Sequence, residues 1–248
     1  MGSIALTDDM SLFSAIKFYQ KATSAGIKPI IGAKISVDFD LGHYDVLLLC
    51  QNHEGYLNLS ELISKAYLNE QGISIVSVTE EQLISHQKGL LMVATPISSD
   101  VSQLLLANEL ELANTKAKNW QAIFKDRYYI SAQRTDRHSD ENLLNLTIEL
   151  GLKLDIPVIA TNDVQFLSRS DYAAHEARIC IAEGTLLDDS RRLKSFSDSQ
   201  YLKTADEMSE LFKDYPQLIE NASEVAKRCN LHFKLFEKNY LPAFPTPK

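Results

Sequence analysis

The sequence predicts an α/β fold in which helices cover a largely parallel sheet. Strand-like and helix-like segments alternate along most of the 248 residues, which is the order that βα units produce. A short apolar run without internal charges begins at Ile156 and ends in Thr161, Asn162 and Asp163. Such a run is typical of a strand buried on both faces. Both a barrel and an open, doubly wound sheet agree with this pattern.

Six apolar runs of strand length predict the sheet. The run at 44–50 is apolar after Asp45, which predicts a fully buried strand. The run at 89–95 begins with Gly89 and is ended by the Thr95-Pro96 pair. In chain order the predicted strands span 4–7, 28–35, 44–50, 89–95, 127–131 and 156–163.

Apolar residues recur at helical spacing between these runs. Leu12, Ile16 and Tyr19 share one face of the first predicted helix, which Gly26 ends. Thr79 and Gln82 have the spacing of a capping box. The predicted helices span 11–25, 54–68, a short piece from 79, 100–124 with a break near Asn108, 139–152, 171–182 and 206–230.

Composition argues against several classes of protein. No apolar run approaches the roughly 18–20 residues that a membrane span needs. Asp8 and Asp9 stand where a signal peptide would be basic or apolar, so we expect a cytoplasmic protein. A net charge of −8 disfavours nonspecific binding to the phosphate backbone of nucleic acids, which needs clustered lysine and arginine.

Sequence motifs for several kinds of active site are absent. The three cysteines are far apart and form no CxxC pair, which disfavours a disulfide framework and a structural zinc site. His175-Glu176 lacks the second histidine of a zincin, and no glycine-rich phosphate loop or nucleophile elbow occurs. Asp171 and His175 lie four residues apart, so we expect them to share a helix face and to form a structural hydrogen bond.

Aspartates follow the first and the last predicted strands. Asp8 comes directly after the run at 4–7, and Asp163 ends the run at 156–163. Ligands of barrels and open α/β sheets bind where the strands end at their carboxyl termini. We therefore expect a site at one edge of the sheet that contains both aspartates.

Segments spread over nearly the whole chain are similar to one family. They include Gly26-Ile-Lys-Pro-Ile-Ile-Gly-Ala33, Asn52-His-Glu-Gly-Tyr-Leu-Asn-Leu59 and Pro157-Val-Ile-Ala-Thr-Asn-Asp163, and shorter matches lie at 5–8, 17–19, 62–67, 126–128, 174–176, 226–230 and 240–245. In this order they resemble the PHP (polymerase and histidinol phosphatase) domain of bacterial DNA polymerase III alpha subunits.

The resemblance implies a PHP-type distorted (β/α)7 barrel that lacks its first strand and helix, so that Met1 is an internal start. It implies a PHP domain over residues 1–235. Residues 236–248, with four prolines or aromatic residues in the last eight positions, would form an extended linker toward an absent palm domain.

The resemblance also implies a metal site that has lost most of its ligands. Metal-competent members carry histidines or acids where this chain has Asp9, Lys34, Asp45, Arg134 and Gln165. Asp8 and Asp163 would be the remaining ligands of a vestigial, unoccupied metal site, and no catalytic residue is expected. The edge would also contain Asn162 and His175. Because Lys34 and Arg134 bring fixed positive charge, we expect them to hold the carboxylates by ion pairs in place of metals.

The function implied is that of one part of a DNA-directed DNA polymerase. Its magnesium-dependent palm would lie outside this chain, and DNA would be bound through the parent enzyme. The part itself would bind no cofactor and would act as a scaffold for palm and thumb and as a docking site for the proofreading exonuclease subunit. Alternatives are an active metal-dependent phosphoesterase or 3′–5′ exonuclease, and a free-standing hydrolase of the same fold.

Overall fold

The computed structural model describes residues 1–39, 42–69, 76–189, 191–192 and 194–235. The predicted linker at 236–248 lies outside these residues. The strands are β1 (Ser3–Leu6), β2 (Lys28–Phe39), β3 (Gly42–Cys50), β4 (Val78–Thr79), β5 (Leu90–Ala94), β6 (Tyr128–Gln133) and β7 (Val158–Thr161). The helices are α1 (Ala15–Ser24), α2 (His53–Asn69), α3 (Glu80–Ser85), α4 (Asp100–Leu106), α5 (Leu110–Phe124), α6 (Asp140–Leu154), α7 (Tyr172–Glu183), α8 (Ala205–Leu211) and α9 (Pro216–Arg228). None of these helices is both long and apolar enough to cross a bilayer.

The strands form one sheet whose order is β1-β2-β3-β5-β6-β7, with the short β4 added beside β2. This confirms the predicted α/β class. The expectation of a parallel sheet was wrong at β3, which pairs antiparallel with both β2 and β5. Only two residues separate Phe39 from Gly42, and a parallel crossover needs a dozen or more. A hairpin is therefore the only connection that this length allows.

The sheet is curled. Four strand spacings of about 4.8 Å would place β2 and β7 roughly 19 Å apart in a flat sheet. One short stretch of α9 nevertheless bonds both strands, because Asn221 Nδ2 donates to Val158 O on β7 at 2.8 Å and Lys28 Nζ on β2 donates to Ala226 O at 2.7 Å. Strands β2 and β7 therefore approach each other across the concave face.

Alternate side chains of each strand pack into two separate cores. Ile35, Val46, Met92 and Ile130 belong to the larger core, on the face that the helices α1 to α6 cover. Neighbouring positions form a smaller core on the concave face, which α9 covers with Val225 and Cys229; its strand residues are Ile30, Leu49, Leu91, Val93, Tyr129 and Ile159. Val158, Ile159 and Ala160 are all buried, so the prediction of a strand buried on both faces is confirmed.

Most helix predictions agree with the structure. The break near Asn108 is confirmed, since Asn108 has a positive φ of 62° between α4 and α5. The capping box of Thr79 and Gln82 is also confirmed. The single helix predicted over 206–230 is wrong, because it is two helices, α8 and α9. Pro216 begins α9, where its missing N–H costs nothing, but it cannot continue a helix from α8.

Candidate functional site

The carboxyl ends of β1, β5, β6 and β7, the middle of β2 and the first residues of β3 lie at one edge of the sheet, which we call the rim. Lys34 and Ser36 alternate along β2 with Ile35, which faces the larger core, so both point to the concave face. The register places Asp45 opposite Ser36. Above the smaller core, the concave face is therefore polar.

Lys34 joins the end of β1 to β2. Its Nζ lies 2.8 Å from Asp9 Oδ1, its backbone N–H donates to Asp8 O at 3.1 Å, and its carbonyl accepts from Met10 N at 2.9 Å. Burial lowers the pKa of Lys34, but the hydrogen bond to Asp9 and the charges of Asp9, Asp45 and Asp163 outweigh it and raise the pKa overall. The ammonium therefore stays charged.

Asp45 is held at the start of β3 by its neighbours. Ser36 Oγ donates to its carboxylate at 2.7 Å. Its backbone N–H donates to Ser98 O at 2.8 Å, and its carbonyl accepts from Thr95 Oγ1 at 3.0 Å. The position of this carboxylate thus depends on both neighbouring strands.

Asp163 is bound by side chains from two other segments. Gln200 Nε2 donates to Oδ2 at 2.8 Å, and Gln165 Nε2 donates to Oδ1 at 3.0 Å. Arg137 Nη2 lies 3.7 Å from the same Oδ2. Gln200 is fully buried. Asn162, which precedes Asp163 in the chain, donates to Tyr201 O at 2.7 Å. Residues 195–203 therefore form a strap across the ends of β6 and β7.

Sequence reasoning missed two site residues, Arg137 in the turn after β6 and Gln200 in the strap. A third is Lys203, which is buried and donates to Asn162 Oδ1 at 3.0 Å and to Ser199 O. Burial lowers the pKa of Lys203. The strap is a polar segment without periodicity, so its sequence carries no signal of these contacts.

Below the strap, Asp140 is the centre of a buried hydrogen-bond network. Its Oδ2 accepts from Thr135 N at 2.6 Å, from Thr135 Oγ1 at 2.9 Å and from Arg137 N at 3.3 Å. Gln133 Nε2 donates to the other oxygen at 3.3 Å. This network fixes the turn that follows β6, and with it the direction of Arg137.

Arg134 does not hold the rim carboxylates, contrary to the expectation from its position. Its guanidinium pairs with Glu141 at 2.7 Å and with Asp214 at 2.6 Å, and it donates to Leu211 O at 2.6 Å. It also lies over the rings of Phe212 and Tyr215. Helix α6 supplies Glu141, the turn between α8 and α9 supplies the other two acceptors, and together they draw the side chain away from Asp163.

His175 is buried against Phe166 and Phe196, with ring centroids 5.5 Å and 4.8 Å away. Burial lowers its pKa, and its Nε2 has no hydrogen-bond partner within the described part of the chain. The expected bond to Asp171 is not formed, because Asp171 accepts instead from Ser168 N at 3.0 Å and caps the turn before α7. His175 thus serves packing in this structure.

The residues of the rim do not fit a metal centre. Across the described ranges, no group of three or more His, Cys, Asp or Glu side chains is arranged to hold an ion. The carboxylates of Asp9 and Asp163 already have cationic or amide partners, and the ammonium of Lys34 stands among the acids. Metal-dependent hydrolysis requires bound cations and an activated water, and these side chains supply neither a cage nor a histidine ligand.

Comparison with known families decides the classification. A family model described as "PHP domain" matches residues 1–135, which is more than half of the chain. This chain belongs to the PHP family.

Three curated relatives are similar to this PHP domain over almost its whole length. DNA polymerase III subunit alpha of Pseudomonas fluorescens is 43% identical over 250 residues, and the subunits of Pseudomonas aeruginosa and Escherichia coli are 40% and 39% identical. The match covers 99–100% of this chain and 21% of each relative, so the chain spans about a fifth of their length.

A solved structure from Bifidobacterium adolescentis, provisionally assigned as a metal-dependent phosphoesterase, is 12% identical to this PHP domain. The match covers 66% of this chain and 77% of that one, with a TM-score of 0.40.

Proposed function

We propose that this PHP domain is a structural part of a replicative DNA polymerase III alpha chain. It acts as a scaffold and as a docking site for the proofreading exonuclease subunit, and it catalyses no hydrolysis itself. The observation that carries this proposal is the state of the rim. Lys34 pairs with Asp9, and Arg137 and Gln200 bind Asp163, so these rim carboxylates already have partners within the protein.

The similarity to alpha subunits over the whole chain supports the assignment to a polymerase. In this proposal residues 1–235 form the domain, and 236–248 lead as a linker to a palm domain that binds magnesium and performs DNA synthesis in the cytoplasm. DNA is bound by the rest of the polymerase, since the net charge of this chain is −8. Asp8 and Asp163 are remnants of a metal site.

The first test concerns catalysis. The full-length polymerase chain is assayed for 3′–5′ nuclease activity without the exonuclease subunit, as wild type and as Asp163→Ala. Asp188→Ala, which changes an exposed aspartate, is the matched control. We expect no nuclease activity that depends on Asp163. Activity that is lost in Asp163→Ala and kept in Asp188→Ala would establish the alternative, an active metal-dependent phosphoesterase or exonuclease.

The second test concerns docking. Hydrogen exchange of the full-length chain is compared with and without the proofreading exonuclease subunit, followed by mass spectrometry of peptides. We expect slower exchange on the surface of residues 1–235 when the subunit is present. Protection confined to peptides beyond this domain would refute the docking role.

A further inference from the structure

Helix α7 exposes apolar residues where a surface helix normally exposes polar ones. Ala174, Ala177 and Ile181 follow one another at spacings of three and four residues, so they share one side of the helix. Ala174 is exposed, Ala177 is half-buried, and Ile181 is 82% exposed. Helix α9 shows the normal pattern, since every exposed residue after Pro216 is polar: Gln217, Glu220, Ser223, Glu224 and Lys227.

The segment after α7 extends this apolar surface. Gly184 ends the helix with a positive φ of 66°, and Thr185 N donates to Cys180 O at 2.9 Å, so the chain folds back beside the last turn. Leu186 and Leu187 follow and are 77% and 52% exposed. We call the surface formed by Ala174, Ala177, Ile181, Leu186 and Leu187 the α7 face.

The inner side of α7 attaches the helix to the domain. His175 lies against the rings of Phe166 and Phe196, and Glu176 forms a buried ion pair with Arg192. These contacts use the side of the helix that is turned away from water. The α7 face can therefore contact another part of the protein without disturbing the packing of the domain.

We propose that the α7 face is the surface on which this domain packs against the rest of its own polymerase chain. About four-fifths of each of the three relatives lies outside the matched part, so the proposed parent chain is long enough to cover the face. Clustered aliphatic side chains on a surface mark an interface, and apolar contacts are typical of permanent interfaces. A covalently attached domain is always present, whereas a separate subunit can dissociate. The inference rests on the proposed function and names the surface that serves it.

The shape of the α7 face describes the surface that covers it. Ala174 and Ala177 have short side chains, which allows a facing backbone to come close to the helix axis. Ile181, Leu186 and Leu187 are large and would fill an apolar seam on the other side. We therefore expect an apolar surface that packs closely.

The test measures how fast a cysteine on the α7 face reacts with iodoacetamide in the full-length polymerase chain. Ile181→Cys places the thiol on the face. Leu152→Cys is the matched control, because Leu152 is 80% exposed and lies on a different helix, α6. Each rate is measured by mass spectrometry of peptides and divided by the rate of the same variant unfolded in urea.

We expect Ile181→Cys to react at least about tenfold more slowly than Leu152→Cys, although the two positions are almost equally exposed in this domain. The difference should persist on dilution and without the exonuclease subunit. Adding Leu186→Glu to Ile181→Cys places a charge in the apolar contact and should raise the rate at least about threefold. Adding Leu152→Glu instead should leave the rate unchanged.

Equal rates for Ile181→Cys and Leu152→Cys, or a rate that Leu186→Glu does not change, would refute the proposal. Slow labelling that appears only with the exonuclease subunit would assign the face to that subunit. Slow labelling that is lost on dilution would assign it to a second copy of the chain, and either result overturns the proposal. Nuclease activity that depends on Asp163 would overturn the proposed function without changing these labelling rates.

Discussion

The two sides of the rim are held together in different ways. On the side of β1 to β3, Lys34 forms one half-exposed ion pair with Asp9 at an open edge. On the side of β6 and β7, the buried carboxylate of Asp140 accepts several hydrogen bonds. Nearby, Arg134 pairs with two acids and lies over two aromatic rings. The comparison shows that the position of a lysine or arginine at the rim does not predict which acid it pairs with. The acceptors nearby decide it.

The largest effect is expected on the β6–β7 side, from Asp140→Ala. The change leaves Thr135 N, Thr135 Oγ1 and Gln133 Nε2 buried without their acceptor, which should cost about 3 kcal/mol in the free energy of unfolding. Urea unfolding followed by the fluorescence of Trp120 measures it. Asn142→Ala on the exposed face of the same helix should change the value by less than about 0.5 kcal/mol. A loss as small as that in Asp140→Ala would remove the contrast between the two sides.

Arg134→Lys tests how much of the stability of the turn between α8 and α9 depends on the planar shape of the guanidinium group and how much on its charge. Lysine keeps the charge but cannot bond Asp214 with two nitrogens or lie flat over Phe212. We expect a loss of about 1.5 kcal/mol in unfolding free energy. Arg178→Lys, on the exposed side of α7, serves as the control and should be neutral. Equal stability of Arg134→Lys and the wild type would mean that charge alone holds this turn.

The pH dependence of stability tests the same pair of Arg134 and Asp214. The hydrogen bond from Arg134 lowers the pKa of Asp214 below 3.8. A carboxyl group whose pKa is lower in the folded state stabilises the protein fully above its unfolded pKa and loses that contribution as pH falls through the folded value. The stability difference between wild type and Asp214→Asn should therefore be constant near neutral pH and shrink below pH 3.8. A difference that grows on acidification would contradict the pair.

The smallest effect is expected on the β1–β3 side, from Ser36→Ala. The hydroxyl donates to Asp45 at 2.7 Å, but the carboxylate lies at an open rim where water can replace the donor. We expect a loss of about 0.5 kcal/mol. Chemical denaturation measures the free energy of unfolding, and Ser209→Ala, which changes an exposed serine of α8, is the control. A loss above about 2 kcal/mol would show that this side is as tightly organised as the other.

Local patterns were enough to find six of the seven described strands, although they missed β4, ended β2 at residue 35 and not at Phe39, and made β7 too long at both ends. The apolar run after Ile156 gave a strand buried on both faces, and the oxygen-bearing residues at its end marked the rim. Lys34 pairs with the rim carboxylate of Asp9 at 2.8 Å. Both features depend on residues close in the chain or on neighbouring strands, and periodicity reports such contacts well.

The remaining features depend on contacts between distant segments. Arg134 is turned by Asp214, 80 residues further along the chain, and Asp163 is bound by Gln200 from the strap. Neither partner stands out in the sequence, because exposed and buried polar residues look alike there. The split at Pro216 was different, since the proline is visible in the sequence and predicts the start of α9.

The order of the strands has a consequence for folding during translation. Apart from β4, each strand pairs with the one made just before it, so the sheet can grow from one edge while the chain is still being synthesised. The smaller core is different, because α9 covers it and is made last of all described elements. Until residues 216–228 leave the ribosome, Leu91, Val93 and Ile159 face water. A pause in translation before α9 would therefore extend the period in which the growing chain is open to chaperones and to aggregation.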